Sequence, residues 1–285
     1  MPRKDFDIII VGSGTCGATL AKELSGCGKS VLVAERGQFF TSKQTGSEFK
    51  ALKYYDRCGL WSKTKEGVVY YRAIMAGGTS IISCGNGVRS MEKYFKKMGI
   101  DLKKEFAETE KELCIKPVPK KFLGPGTRAI MKASSALGFK MFPMPKYINF
   151  KKCIACGNCV LGCLSEAKWS ALRYLKDAQK RGASVQFELN VSRVLVKNKR
   201  AVGIEAVAKN GAKQNIYADT VILAAGGLGT PVILQNSGIK AGQKLFLDLF
   251  TVTTGLAKSK GMTGEVVMGA VHLNKGFLLS PFIDV

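Results

Sequence analysis

Two stretches of this chain carry residue types whose spacing can do chemistry. The first is Cys153-Ile154-Ala155-Cys156-Gly157-Asn158-Cys159-Val160-Leu161-Gly162-Cys163, a C-x2-C-x2-C-x3-C run. Thiolates at these intervals can wrap an iron–sulfur cubane, and small residues between them let backbone N–H groups reach the sulfurs. Leu164 stands where such runs usually continue with proline, and no second run exists for a two-cluster arrangement. Three readings stay open for Cys153, Cys156, Cys159 and Cys163: a 4Fe-4S cluster, a zinc ion, or reduced thiols in a core.

The second stretch is Gly12-Ser13-Gly14-Thr15-Cys16-Gly17, which follows the apolar run Ile8-Ile9-Ile10-Val11. Gly12 makes a tight turn, Gly14 lets the backbone approach a pyrophosphate, and Gly17 permits close helix–strand packing. The helix that opens at Thr15 directs free N–H groups and the positive end of its dipole at the phosphates. A second apolar strand, Lys29 to Ala34, ends in Glu35, about 20 residues after the glycines. A carboxylate there accepts hydrogen bonds from a ribose 2′-OH and repels a 2′-phosphate. These residues predict a dinucleotide site, and by themselves they allow NAD or FAD.

Those motifs need a strand–turn–helix framework, and the rest of the chain supplies one. Gly77-Gly78-Thr79-Ser80 offers backbone N–H groups and hydroxyls without a Cβ in the way, a second phosphate or ring contact. The aromatic residues Tyr54, Tyr55 and Trp61 are expected in the core or over a cofactor. Residues 91–113 read as one solvated amphipathic helix, 126–137 as a second, and Ser165 to Lys180 as a third. Strands are expected at 185–188, 191–196, 201–208 and 215–218. Another at 221–225 enters Gly226-Gly227-Leu228-Gly229-Thr230 and a short helix with proline near its start. Short β-like runs follow at 264–272 and 277–283.

The 285 residues suffice for one large or two modest domains, and 46% hydrophobic with 23% charged residues excludes a disordered chain. The formal net charge is +23, yet Lys and Arg are scattered without interleaved aromatics, so no nucleic-acid partner is expected. A generally basic cytoplasmic proteome or a high-salt cytosol accounts for the charge. No stretch reaches the roughly 18 apolar residues of a membrane span. The run after Met1 is too short for a signal peptide and is read as the first strand. Nine cysteines, four of them crowded together, suit a reducing compartment, so a cytoplasmic location is expected.

Taken together, the three glycine regions resemble the glucose–methanol–choline (GMC) oxidoreductase family. The resemblance rests on Gly12 to Gly17 with Glu35-Arg36-Gly37, on Gly77 to Ser80 with Asn86-Gly87 and Arg89, and on Gly226 to Gly238. Lys240 departs from the family pattern, which has glycine there. The resemblance implies an α/β fold: a Rossmann-like FAD-binding domain with a central parallel sheet and helices, plus the start of an incomplete substrate domain. It implies FAD cradled by Gly12, Gly14, Thr15 and Gly17, with Glu35 and Arg36 at the adenosine ribose and Val194 near the adenine. Gly77, Gly78, Thr79, Ser80, Asn86 and Gly87 would approach the flavin, and Ala225, Gly226 and Thr230 complete the cofactor contacts. A FAD-binding domain is expected over 1–239, with 90–190 as a helical, cysteine-rich insertion, and the beginning of a substrate domain over 240–285.

Cys156-Gly157-x-Cys159-x-x-Gly162-Cys163 with Ala167-Lys168 is similar to the long-chain-alcohol and cholesterol-oxidase-like branch, which implies a lipophilic alcohol as substrate. Family members are roughly twice as long and carry a catalytic histidine in the part beyond these residues. The sole histidine here, His272, is expected to be structural, and the catalytic residue is unassigned. The expectation is therefore the FAD-binding half of a split or truncated alcohol oxidoreductase, completed by a second polypeptide. If the cysteines hold a cluster, the basic surface suits an acidic electron-carrier protein. A non-catalytic flavin-binding remnant is the third reading.

Overall fold

The computed structural model describes residues 4–58, 62–246, 248–255, 264–274 and 276–282. Trp61 and Ile283 lie outside them. The strands are β1 (Phe6–Val11), β2 (Val31–Ala34), β3 (Lys116–Pro117), β4 (Phe142–Pro143), β5 (Pro145–Lys146) and β6 (Ser184–Gln186). β7 (Asn190–Lys197), β8 (Arg200–Val207), β9 (Lys213–Leu223), β10 (Ala270–Leu273) and β11 (Leu278–Leu279) follow. The α-helices are α1 (Thr15–Leu24), α2 (Glu48–Ala51), α3 (Glu92–Lys97), α4 (Lys103–Glu112), α5 (Pro125–Ala136), α6 (Leu172–Lys180) and α7 (Gly226–Asn236). They fall into two units. One comprises Met1–Gln44, Glu48–Ile81 and Ser170–Asp248; the other comprises Thr45–Ser47, Ile82–Trp169 and Leu249–Val285.

The first unit is built on a six-stranded sheet of order β6-β2-β1-β9-β8-β7. Strands β6, β2, β1 and β9 run parallel, while β9, β8 and β7 form an antiparallel meander. β1 is the centre: Ile10 stands opposite Val33 on one side and Ile222 on the other. A strand covered on both faces must be apolar throughout, which explains the β-branched run Ile8 to Val11. Ile9, Ile10, Leu32 and Val33 are fully buried, each such side chain contributing about 2 kcal/mol of burial free energy. α1 buries Gly17, Ala18 and Ala21, and these small side chains let the helix lie close to its strand.

β9 corrects the sequence reading of two separate strands. Residues 213–217 pair antiparallel with β8, and from Ala218 onward the same strand pairs parallel with β1. Asp219 and Thr220 interrupt nothing, because the ladder to β1 fixes the backbone through them.

In the second unit, β11, β10 and β4 form a small sheet and β3 pairs with β5. Its core gathers Val118, Leu123, Met144, Ile148, Val266 and Val271. Two helix expectations are corrected here and at the start of α6. The expected single helix over 91–113 is two helices, α3 and α4, separated at Gly99, whose φ of +80° ends the first. Neither buries a residue, as a solvated face requires. The helix expected from Ser165 begins only at Leu172, because Lys168 is drawn into a β-bridge with Ile148.

A carboxylate distant in sequence organises α5. Glu265 is buried, and its Oε1 and Oε2 accept from the N–H groups of Gly126 (2.7 Å) and Thr127 (3.0 Å). It satisfies two first-turn donors that no local side chain caps, with its charge at the positive end of the helix dipole. Among the described residues no helix is long and apolar enough to cross a membrane.

Candidate functional site

The loop after β1 is shaped by what its glycines exclude. At Gly12, φ is +99° and a Cβ would come within 2.5 Å of Ala224 O. At Gly17 a Cβ would overlap the carbonyl oxygen of Gly12. Gly14 differs: a Cβ there meets nothing within 4 Å, so the loop presents an open side at the start of α1. That helix has no side-chain cap, which leaves its first N–H groups for an anion.

Glu35 lies at the end of β2 and is 7% exposed. Its Oε2 accepts from Ser13 N at 2.8 Å and from Ser13 Oγ at 2.7 Å, and its Oε1 accepts from Gly37 N at 2.7 Å. Ser13 is fully buried, and its Oγ accepts in turn from Gly77 N at 3.1 Å. The second glycine region is thereby fastened to the first, and a Cβ on Gly78 would stand 3.0 Å from Gly14 Cα. Thr79 Oγ1 accepts from Ala73 N, and Ser80 Oγ joins Gly77 O to Ala171 N. These two hydroxyls hold the 3-10 turn Gly78–Ile82 in place.

The remaining predicted cofactor residues separate into two groups. Ala225, Gly226 and Thr230 begin α7, directly after the Ala224 that packs on Gly12 and Gly17. Val194 is buried in the sheet core, and its N–H donates to Ser237 Oγ at 2.8 Å. Arg36 is exposed and, with Gly37, Lys53, Tyr54 and Tyr55, lines a cavity of about 420 Å³ beside Glu35. Tyr54 is 1% exposed, as a core residue should be. Asn86, Gly87 and Arg89 belong to the other unit. There Asn86 bonds Lys146 and Met268, Gly87 N donates to Pro145 O, and Arg89 grips Glu110 through two 2.7 Å bonds.

The cysteine run also lies in that second unit. Cys153, Cys156, Cys159 and Cys163 line one small cavity with Ile148 and Val266. Among the described residues no three His, Cys, Asp or Glu side chains are placed to hold a single metal ion. Two lysines are buried beside the thiols. Lys146 is 0% exposed and donates to Cys84 O (2.8 Å) and Asn86 Oδ1 (2.7 Å); Lys168 is 5% exposed and donates to Ser83 O and to Cys159 O. Burial pulls Lys146 down to about 8 and pushes the Cys159 thiol up to about 11.

His272 lies on β10, where its Nδ1 meets Lys140 O at 2.9 Å and its ring packs on Phe139 and Phe277.

A known family, described as GMC oxidoreductase, matches residues 6–257. The chain belongs to the GMC oxidoreductase family. An uncharacterized GMC-type oxidoreductase of Mycobacterium tuberculosis is 30% identical over 96% of this chain and 47% of its own length. A Methanocaldococcus jannaschii protein is 31% identical over 96% of this chain and 64% of its own. A long-chain-alcohol oxidase of Arabidopsis thaliana is 27% identical over 97% of this chain and 42% of its own. This chain thus spans about half the length of most of these relatives. Among solved structures, pyridoxine 4-oxidase from Mesorbium loti superposes with a TM-score of 0.60 at 20% identity, over 82% of this chain and 52% of that one. A FAD-dependent oxidoreductase from Chaetomium thermophilum gives 0.63 at 20%, over 82% and 48%. These likenesses establish the GMC fold for the mixed α/β architecture.

Three residues of consequence escaped sequence reading. Ser13 occupies a variable position of the glycine motif, where its sole signal is a small hydroxyl between two glycines. Lys146 is one of 44 Lys and Arg residues, with no local pattern to mark it as buried. Glu265 caps a helix 139 residues away, which no local window can register.

Proposed function

We propose that this GMC oxidoreductase chain binds FAD on the β1–α1 loop and serves the oxidation of a CH–OH group, with a lipophilic alcohol as the substrate class. One observation carries the reading: the uncapped start of α1 faces open space at Gly14, with Glu35 fixed at the end of the neighbouring strand. The fit is chemical as well as spatial. Gly14 to Gly17 supply N–H groups for two phosphates, and Glu35 keeps about one lone-pair site, on Oε1, beside its three protein donors for a ribose hydroxyl. FAD, when bound, accepts the two electrons released by the alcohol. Ser13 and Gly37 fix the carboxylate of Glu35, and the Ser13–Gly77 bond sets the Gly77–Ser80 segment against the phosphate loop.

The alcohol proton needs a base. His272 is turned to Lys140 O and two aromatic rings, so the base in this reading comes from protein outside these 285 residues, such as a second polypeptide. The similarity to long-chain-alcohol oxidases supports the lipophilic substrate.

Two measurements test this. Titration of the purified chain with FAD and with NAD by fluorescence is expected to give tight, stoichiometric FAD binding; preference for NAD overturns the cofactor assignment. The FAD-loaded chain alone is expected to turn over long-chain alcohols negligibly. Robust turnover by the isolated chain refutes an external base.

A further inference from the structure

Lys146 poses an electrostatic problem within the second unit. Its ammonium is fully buried, both of its acceptors are neutral, and no carboxylate pairs with it among the described residues. An isolated ammonium in such a place costs several kcal/mol unless negative charge stands close by. The groups around it are sulfurs. Cys84, Cys153 and Cys159 stand close enough to Lys146, and Cys84, Cys159 and Cys163 to Lys168, for their charge to be felt once ionised, while the two ammoniums oppose each other. As neutral thiols they carry no charge, but metal ligation removes thiol protons even where burial opposes ionisation.

We propose that Cys153, Cys156, Cys159 and Cys163 hold a 4Fe-4S cluster whose negative charge is balanced by the Lys146 and Lys168 ammoniums. Three independent observations converge on it. The intervals are those of cluster-binding runs. The four side chains line one cavity with apolar walls. The cations beside that cavity are the counterpart that an anionic thiolate cluster requires.

A zinc ion takes its sulfurs about 2.3 Å from one common point, whereas in a cubane each thiolate bonds its own iron. Among the described residues no three ligating side chains stand ready to hold a metal ion, so either group requires the cysteines to rearrange, and sulfide uptake distinguishes them. On assembly each of the four thiols gives its proton to solvent and replaces S–H by S–Fe, with two ferrous ions, two ferric ions and four inorganic sulfides taken from outside, so that the complex carries a net charge of about −2 without any change of oxidation state. The cavity is about 20 Å³, so the cysteine loop moves outward to admit the cluster.

The experiment uses the full chain, purified anaerobically and offered ferrous and ferric iron in equal amounts with sulfide in the absence of oxygen. Expected are about four irons and four sulfides per chain, a broad visible absorption bleached by dithionite, and an altered pattern of limited proteolysis in the cysteine loop. The double variant Cys156→Ser/Cys159→Ser is expected to lose this uptake while its helical circular dichroism and flavin content persist. Lys146→Gln is expected to retain the cluster at a more negative reduction potential, and Lys146→Arg to restore it. Zinc bound without sulfide, no metal uptake, or equal iron uptake by the double variant overturns the site; an unmoved potential in Lys146→Gln overturns the charge balance. Flavin content is read separately, so failure here leaves the FAD assignment standing.

Discussion

The backbone N–H of Gly77 donates to Ser13 Oγ at 3.1 Å, and that hydroxyl donates to Glu35 Oε2 at 2.7 Å. One buried side chain thus joins the acid at the end of β2 to the loop expected beside the flavin. Ser13→Ala leaves Gly77 N–H without its acceptor and removes one donor from Glu35. The expected loss is about 1–3 kcal/mol of stability, with FAD binding weakened roughly tenfold. Denaturant unfolding and FAD fluorescence titration measure the two effects. Wild-type affinity in the folded variant contradicts the coupling.

Gly14 and Gly17 are expected to fail in different ways. Gly17→Ala drives a Cβ into Gly12 O, so α1 cannot stay seated and the chain unfolds or aggregates. Gly14→Ala meets nothing within the protein, so the folded chain keeps its thermal melt. Its methyl instead occupies the space assigned to the pyrophosphate, and FAD binding is lost. Circular dichroism with flavin content separates the two, and a Gly14→Ala chain that keeps FAD places the pyrophosphate elsewhere.

Lys146 makes stability depend on pH in a predictable direction. Its ordinary value of 10.5 falls to about 8 in the fold, chiefly through burial. Between those values Lys146 binds more protons unfolded than folded, so its contribution to stability rises with pH across that window, while the raised Cys159 thiol acts oppositely in both chains and cancels in their comparison. Below the folded value the full penalty of about 3 kcal/mol applies. Lys146→Met is expected to abolish this rise. Urea unfolding of both chains with a chelator present, at about pH 7 and about pH 10, checks it; parallel pH profiles contradict a buried ammonium.

Glu265→Ala strips two N–H groups of α5 of their acceptor and is expected to cost about 1–3 kcal/mol. Hydrogen exchange is expected to speed at Gly126 and Thr127 while FAD affinity stays unchanged. Unaltered protection at those amides shows that the cap is dispensable.

The glycine motif and Glu35 were legible because each acts through local backbone geometry: a turn, a helix start, a strand end. The apolar runs of β1 and β2 were legible for the same reason, since both faces of a central strand are covered. The joining of two expected strands into β9 was not, because only pairing with β8 and then β1 decides whether Asp219–Thr220 breaks the strand. Ser13 and Lys146 were hidden because their importance lies in burial and in partners 64 and 60 residues away. The start of α6 was misplaced because a β-bridge to Ile148 overrode the helical preference of the residues around Lys168.

β1 is flanked on one side by β2 and on the other by β9, and Ala224 N–H closes onto Val11 O at 2.8 Å. During synthesis, then, the β1–α1 loop emerges well before the strand that completes it. Until residue 224 has left the ribosome, β1 lacks one neighbour and Gly12 and Gly17 lack the backbone they pack against. The intervening residues of the second unit must emerge before that closure, a delay inherent in a pairing so distant along the chain. The proposed FAD site is therefore complete only once β9 has docked beside β1.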